Sequence, residues 1–108
     1  MNWTAASLDV DCPLAKISNT DELCDAQTEI RKQDDDVNFW TALKVENGSY
    51  LWGNQPVDRL NSHALLDETE SGNCYVISRD AMKLKSKDCN EVKKGLCSYD
   101  VEGLSESL

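Results

Sequence analysis

Across residues 19–32 the apolar positions follow a helical period. Leu23, Ala26 and Ile30 recur at i, i+3 and i+7, which places them on one face of an α-helix. Asn19 stands three residues before Glu22, the capping-box spacing in which two side chains satisfy orphan amides at a helix start. Arg31 and Lys32 suit the negative end of the helix dipole. The acidic run Asp34-Asp35-Asp36 is expected to end the helix as a solvated loop, because adjacent carboxylates repel one another. Beyond it the period shortens. Phe39, Thr41, Leu43 and Val45 alternate with Trp40, Ala42 and Lys44, a strand rich in aromatic and branched residues. Asn47-Gly48 follows, the dipeptide best suited to the positive φ angles of a type I′ turn, and residues 49–52 run back as the second strand of a hairpin. Residues 53–72 are polar, are interrupted by Pro56 and keep no period, so a long irregular loop is expected there. Two further strands are expected over residues 73–79 and 82–85, the second with Met82 and Leu84 inward and Lys83 and Lys85 outward. A last strand is expected over 95–101. Residues 102–108 read as a frayed tail, leaving 1–101 as one α+β domain.

Composition fits a single domain, since 108 residues is the size of one compact unit. Twenty Asp+Glu against 11 Lys+Arg give a net charge of −9, which argues against nucleic acid as a partner because its phosphates would be repelled. No apolar run approaches the ~20 residues a membrane helix needs, so this segment is expected not to insert in a membrane. No basic stretch followed by an apolar one opens the chain, and no signal peptide is expected within it.

The five cysteines sharpen the compartment. Such a density is unusual in a reducing environment, where thiols serve as metal ligands or nucleophiles. Cys12, Cys24, Cys74, Cys89 and Cys97 contain no C-x-x-C pair, and the single histidine is His63, so disulfides are the better account. Asn2-Trp3-Thr4 and Asn47-Gly48-Ser49 fit the N-glycosylation sequon, making Asn2 and Asn47 candidate modification sites and supporting an extracellular origin. Spacing alone does not assign the pairs or the leftover thiol.

The order of motifs then carries a resemblance. Leu14-Ala15-Lys16-Ile17 precedes the capped helix; Trp40-Thr41-Ala42-Leu43 and Tyr50-Leu51-Trp52 frame the hairpin; Asn73-Cys74-Tyr75-Val76 follows the long loop; Cys89-Asn90-Glu91 and Gly95-Leu96-Cys97 close the chain. This resembles the C-type lectin-like domain, with its "LA-x-I" segment, "WIGL" strand, "W-x-W" strand and late cysteine pair. The likeness covers about residues 12 to 100, and its most specific part is the seven-residue gap between Cys89 and Cys97. It implies a C-type lectin-like fold of small antiparallel sheets flanked by one or two helices. It also implies the disulfides Cys12–Cys97 and Cys74–Cys89. Trp3-Thr4-Ala5-Ala6 is similar to the family's first helix, but Cys12 lies closer to Leu14 than the family's cysteine does to its "LA" segment. Either that helix is shortened or Cys12 is not the expected cysteine, and the usual N-terminal strand is absent or reduced.

Cys24 is then the odd thiol. It stands ~100° from Leu23 around the helix, off the apolar stripe and therefore partly exposed. An unpaired cysteine in a secreted domain points to an intermolecular bridge, and so to a dimer, or to a reactive thiol; the alternatives are a local bond to Cys12 or a buried free thiol.

Lectins of this family hold sugar through calcium, an ion that wants six to eight oxygen ligands. The family's "WND" positions, counted back from Cys89, fall on Leu84, Lys85 and Ser86, and an ammonium has no lone pair to donate. Gln55-Pro56-Val57 is superficially similar to the loop motif "QPD", but Val57 offers no side-chain oxygen. Hence no metal or cofactor is expected. Trp40 and Trp52 are expected in the core. His63 lacks a placeable nucleophile or orienting partner, so the chain is not read as an enzyme. Arg59, Asn61, His63, Asp67 and Glu68 are the candidate ligand contacts, because polar residues on a loop held by a rigid scaffold commonly carry recognition. The resulting expectation is a calcium-independent extracellular module, secreted or an ectodomain, that binds a protein partner with a basic surface. The alternative is a carbohydrate-binding lectin with noncanonical or no calcium.

Overall fold

The side-chain Oδ1 of Asn2 accepts the Ala5 N–H at 2.9 Å and caps a short first helix, α1 (Trp3–Ser7). The fold is seen in a computed structural model that describes residues 1–32, 38–57, 60, 65–67, 72–79 and 83–98. The second helix, α2 (Thr20–Lys32), is capped by Asn19, whose Oδ1 accepts the Glu22 N–H at 2.8 Å. The return leg of the expected capping box is displaced by one residue: the Glu22 carboxylate reaches back to the Ser18 N–H, at 3.0 Å, and to the Ser18 hydroxyl. The apolar stripe of α2 buries Leu23, Ala26 and Ile30.

The strands are β1 (Phe39–Glu46), β2 (Ser49–Trp52), β3 (Gln55–Pro56), β4 (Leu66–Asp67), β5 (Cys74–Ile77), β6 (Leu84–Lys87) and β7 (Lys94–Gly95). They form one sheet in the order β3-β2-β1-β5-β6-β4, with β7 beside β1. The β1–β2 hairpin closes with Glu46 opposite Ser49, and Asn47 (φ 53°) and Gly48 (φ 80°) take the left-handed turn that asparagine tolerates and glycine, without a Cβ, adopts freely. The domain is thus α+β, but its sheet is mixed rather than antiparallel throughout. The β4–β6 and β1–β7 pairs run parallel. The second of these arises because residues 88–93 carry the chain from the end of β6 back to the start of β1. Along that crossing the Trp3 N–H donates to the Cys89 carbonyl at 3.0 Å and the Lys93 N–H to the Met1 carbonyl at 2.9 Å.

Period-2 alternation in β1 buries both faces of the strand. Phe39 and Leu43 join Ile17, Leu23, Ile30 and Ile77 under α2, while Trp40 and Ala42 join Trp3, Ala6, Leu14 and Val76 under α1. Trp40 is fully buried as expected; Trp52 is only half-buried, packed at the margin of both clusters.

Between Trp40 and Lys44 the register against β5 slips, a bulge that leaves backbone groups without ladder partners. Several groups in this stretch find partners elsewhere. The Thr41 hydroxyl donates to the Tyr75 carbonyl at 2.9 Å and accepts from the Leu43 N–H at 3.3 Å. The indole Nε1–H of Trp3 donates to the Thr41 carbonyl at 2.8 Å. The Ala42 N–H donates to the Ala15 carbonyl at 2.9 Å, and the Gly53 N–H to the Ala42 carbonyl at 2.8 Å. The bulge therefore ties α1, the 14–17 segment and β2 to the central strand through buried hydrogen bonds, which are costly to break.

Two disulfides staple this arrangement. Cys12–Cys97 joins residues 85 apart and Cys74–Cys89 residues 15 apart, the pairs the resemblance implies. Around the first bond the Ala15 N–H donates to the Leu96 carbonyl at 2.9 Å and the Ser98 N–H to the Pro13 carbonyl at 2.7 Å.

Three strand expectations change. Residues 53–72, read as irregular, contain β3 and β4, two-residue strands fixed by their neighbours rather than by a period of their own. β6 begins two residues later than expected, at Leu84, and Met82 lies outside the described residues. The strand expected over 95–101 is reduced to β7 and a single bridge between Leu14 and Cys97. Residues 99–101, the tail at 102–108 and the acidic run at 34–36 also lie outside the described residues.

Candidate functional site

The long 53–72 segment starts at Gly53, at the far end of β2, but at Val57 and again at its close, beside Asn73, it lies at the same end of the sheet as the β1–β2 turn. The Val57 N–H donates to the Tyr50 carbonyl at 3.2 Å, and the Val45 N–H to the Asn73 carbonyl at 2.7 Å. Gly72 lies so close to the end of β6 that a Cβ there would overlap the Lys87 backbone. Only glycine lets the two backbones approach this closely. The hairpin tip, the loop return and the end of β6 thus meet on one rim, and the Cys74–Cys89 bond ties the start of β5 to the chain just after β6. Recognition surfaces commonly take this form, a variable loop on a fixed scaffold.

On β6 the three positions that the resemblance aligns with a calcium motif are separated by the pleat. Leu84 and Ser86 are buried and Lys85 is exposed, so the outward group is an ammonium. Asp67 on β4 is half-buried and stands opposite Lys85 in the parallel register. Among the described residues no three His, Cys, Asp or Glu side chains come close enough together to hold a metal ion.

Of the candidate ligand contacts, Asp67 is therefore placed on the sheet edge, while Arg59, Asn61, His63 and Glu68 lie outside the described residues. Asn47 is exposed at the hairpin tip, whereas Asn2 is half-buried and serves as the cap of α1. Cys24 is exposed on α2 and unbonded, which removes a local bond to Cys12 and a buried thiol.

Two features were missed from sequence. Trp3 is buried, and the Lys44 ammonium sits 5.0 Å from its ring centroid while contacting the Glu46 carboxylate at 3.6 Å. Lys93 likewise lies 5.9 Å from the Trp40 ring and 3.3 Å from the Glu91 carboxylate. The second feature is the uneven charge. Arg79, Lys83, Lys85, Lys87, Lys93 and Lys94 are six of the 11 basic residues, so the excess negative charge is carried outside β6 and β7. Both were legible: Asn2 three residues before Ala5 is an N-cap spacing, and the lysine spacing is visible along the chain.

No family model matches this chain, and no curated protein matches it.

Proposed function

We propose that the chain is a C-type lectin-like domain acting as a calcium-independent extracellular recognition module for a protein partner. The observation that carries this reading is the outward ammonium of Lys85 between buried Leu84 and Ser86, where a sugar-binding relative would present calcium ligands. The order of α2, the hairpin, the long loop and the two disulfides supports the family. The disulfides support an oxidising compartment. The long loop and the rim beside it are the recognition surface. A partner with a basic patch fits the acidic remainder of the chain, and its association should weaken as salt rises. Exposed Cys24 is the thiol through which two copies would join.

The test is calorimetric titration of the oxidised domain with calcium, alongside thermal melts in calcium and in chelator. The reading expects no binding heat above dilution and coincident melts. Tight calcium binding with a rise in melting temperature would return the chain to the lectin class.

A further inference from the structure

Two sequons occur in this chain, and the fold treats them differently. Asn47, Gly48 and Ser49 are all exposed at the tip of the β1–β2 hairpin, where the chain turns with positive φ at Asn47 and Gly48. A large group on the Asn47 side chain would project into solvent from the end of the sheet and displace no packed residue. Asn2 is held from several sides. Its Oδ1 accepts the Ala5 N–H at 2.9 Å, the next residue is buried Trp3, and the Trp3 N–H donates to the Cys89 carbonyl at 3.0 Å. On its other side Met1 exchanges hydrogen bonds with Lys93, its nitrogen donating to the Lys93 carbonyl at 3.1 Å. A bulky substituent on half-buried Asn2 would stand between two residues whose backbones are bonded to the 89–93 segment.

We infer that Asn47, exposed at the hairpin tip, is the N-glycosylation site of this domain and that half-buried Asn2, flanked by Trp3 and the chain at residues 89–93, is left unmodified. This rests on the extracellular reading above. The donor is a lipid-pyrophosphate-linked oligosaccharide of the secretory pathway. Asn47 Nδ2 bonds to the sugar C1, the lipid pyrophosphate leaves from that carbon, and one amide proton is released. The glycan stands on the same rim as the Gly72–Asn73 return, since the Asn73 carbonyl accepts a hydrogen bond from the Val45 N–H, two residues before Asn47. It therefore shields the hairpin tip and leaves a partner to approach from the rest of the rim.

The experiment expresses the full chain behind a cleavable secretion leader in cultured animal cells, and reads intact mass before and after peptide N-glycosidase, which converts a glycosylated Asn to Asp. The wild type should carry one glycan, with the conversion mapped to residue 47. Ser49→Ala should abolish it and Thr4→Ala should leave it unchanged; both positions are exposed, so neither substitution threatens the fold. An exported, fully disulfide-bonded chain without a glycan, or with conversion at residue 2, overturns the assignment while the extracellular reading stands. Failure of the wild type to be exported, or export with Cys12 and Cys97 reduced, overturns that reading and the assignment with it.

Discussion

Thr41→Val removes one hydroxyl from a fully buried position and leaves the branched shape in place. The hydroxyl donates to the Tyr75 carbonyl at 2.9 Å and accepts from the Leu43 N–H at 3.3 Å, so its loss orphans two buried backbone groups at the bulge. Leaving a buried donor or acceptor unpaired costs about 1–3 kcal/mol, and the longer of the two bonds belongs at the low end, so the expected total is about 2–4 kcal/mol. Thr41→Ser is the control. It keeps the hydroxyl and deletes one methyl, a loss of about 1 kcal/mol. With an unfolding entropy near 2.1 cal/mol/K per residue, these values correspond to drops in Tm of about 9–18 °C for valine and about 4 °C for serine. Urea unfolding followed by tryptophan fluorescence reads the difference directly, provided both variants keep the wild-type slope. Packing volume alone predicts the opposite order, because valine fills the site and serine does not. A valine variant as stable as the serine variant, or more so, would refute the claim that Thr41 satisfies the bulge.

Replacing Cys12 and Cys97 together by alanine opens a loop of 85 residues, shortened to roughly 70 by the inner bridge, and chain entropy assigns that closure about 4.4 kcal/mol. The melting temperature should fall by about 20 °C, and a fall of less than about 5 °C in a differential scan would contradict this. Gly72→Ala places a Cβ 2.8 Å from the Lys87 Cα and closer still to its carbonyl group, and should cost about 1–3 kcal/mol in chemical denaturation; a neutral result would mean that the two backbones are not in contact. Cys24→Ser should leave stability within about 0.5 kcal/mol, because the side chain is exposed, while abolishing any reducible dimer on a non-reducing gel. Wild-type protein that runs only as monomer after export removes the intermolecular bridge.

Where local pattern and tertiary demand agree, the structure was readable from the residues. The helix at Leu23, Ala26 and Ile30, the Asn47-Gly48 turn and the buried alternation from Phe39 to Leu43 each follow from spacing that one segment can enforce alone. Elements made by their partners were not. β3, β4 and β7 have two residues each and exist because a neighbouring strand offers its edge. The bulge was invisible for the same reason: alternation in β1 is unbroken in sequence, and the slip appears only against β5. Lys85 could be identified as the wrong residue for a calcium site from its chemistry. The placement of Asp67 opposite it required the sheet.

The most direct test of the functional reading is binding of the fluorescently labelled, oxidised domain to animal cells whose surfaces have been treated with protease or with glycosidases, each in calcium and in chelator. A module for protein partners predicts that protease abolishes binding, that glycosidases leave it intact, and that chelator changes nothing. Binding that survives protease but is lost to glycosidases or to chelator would contradict the account and place the chain among the sugar binders.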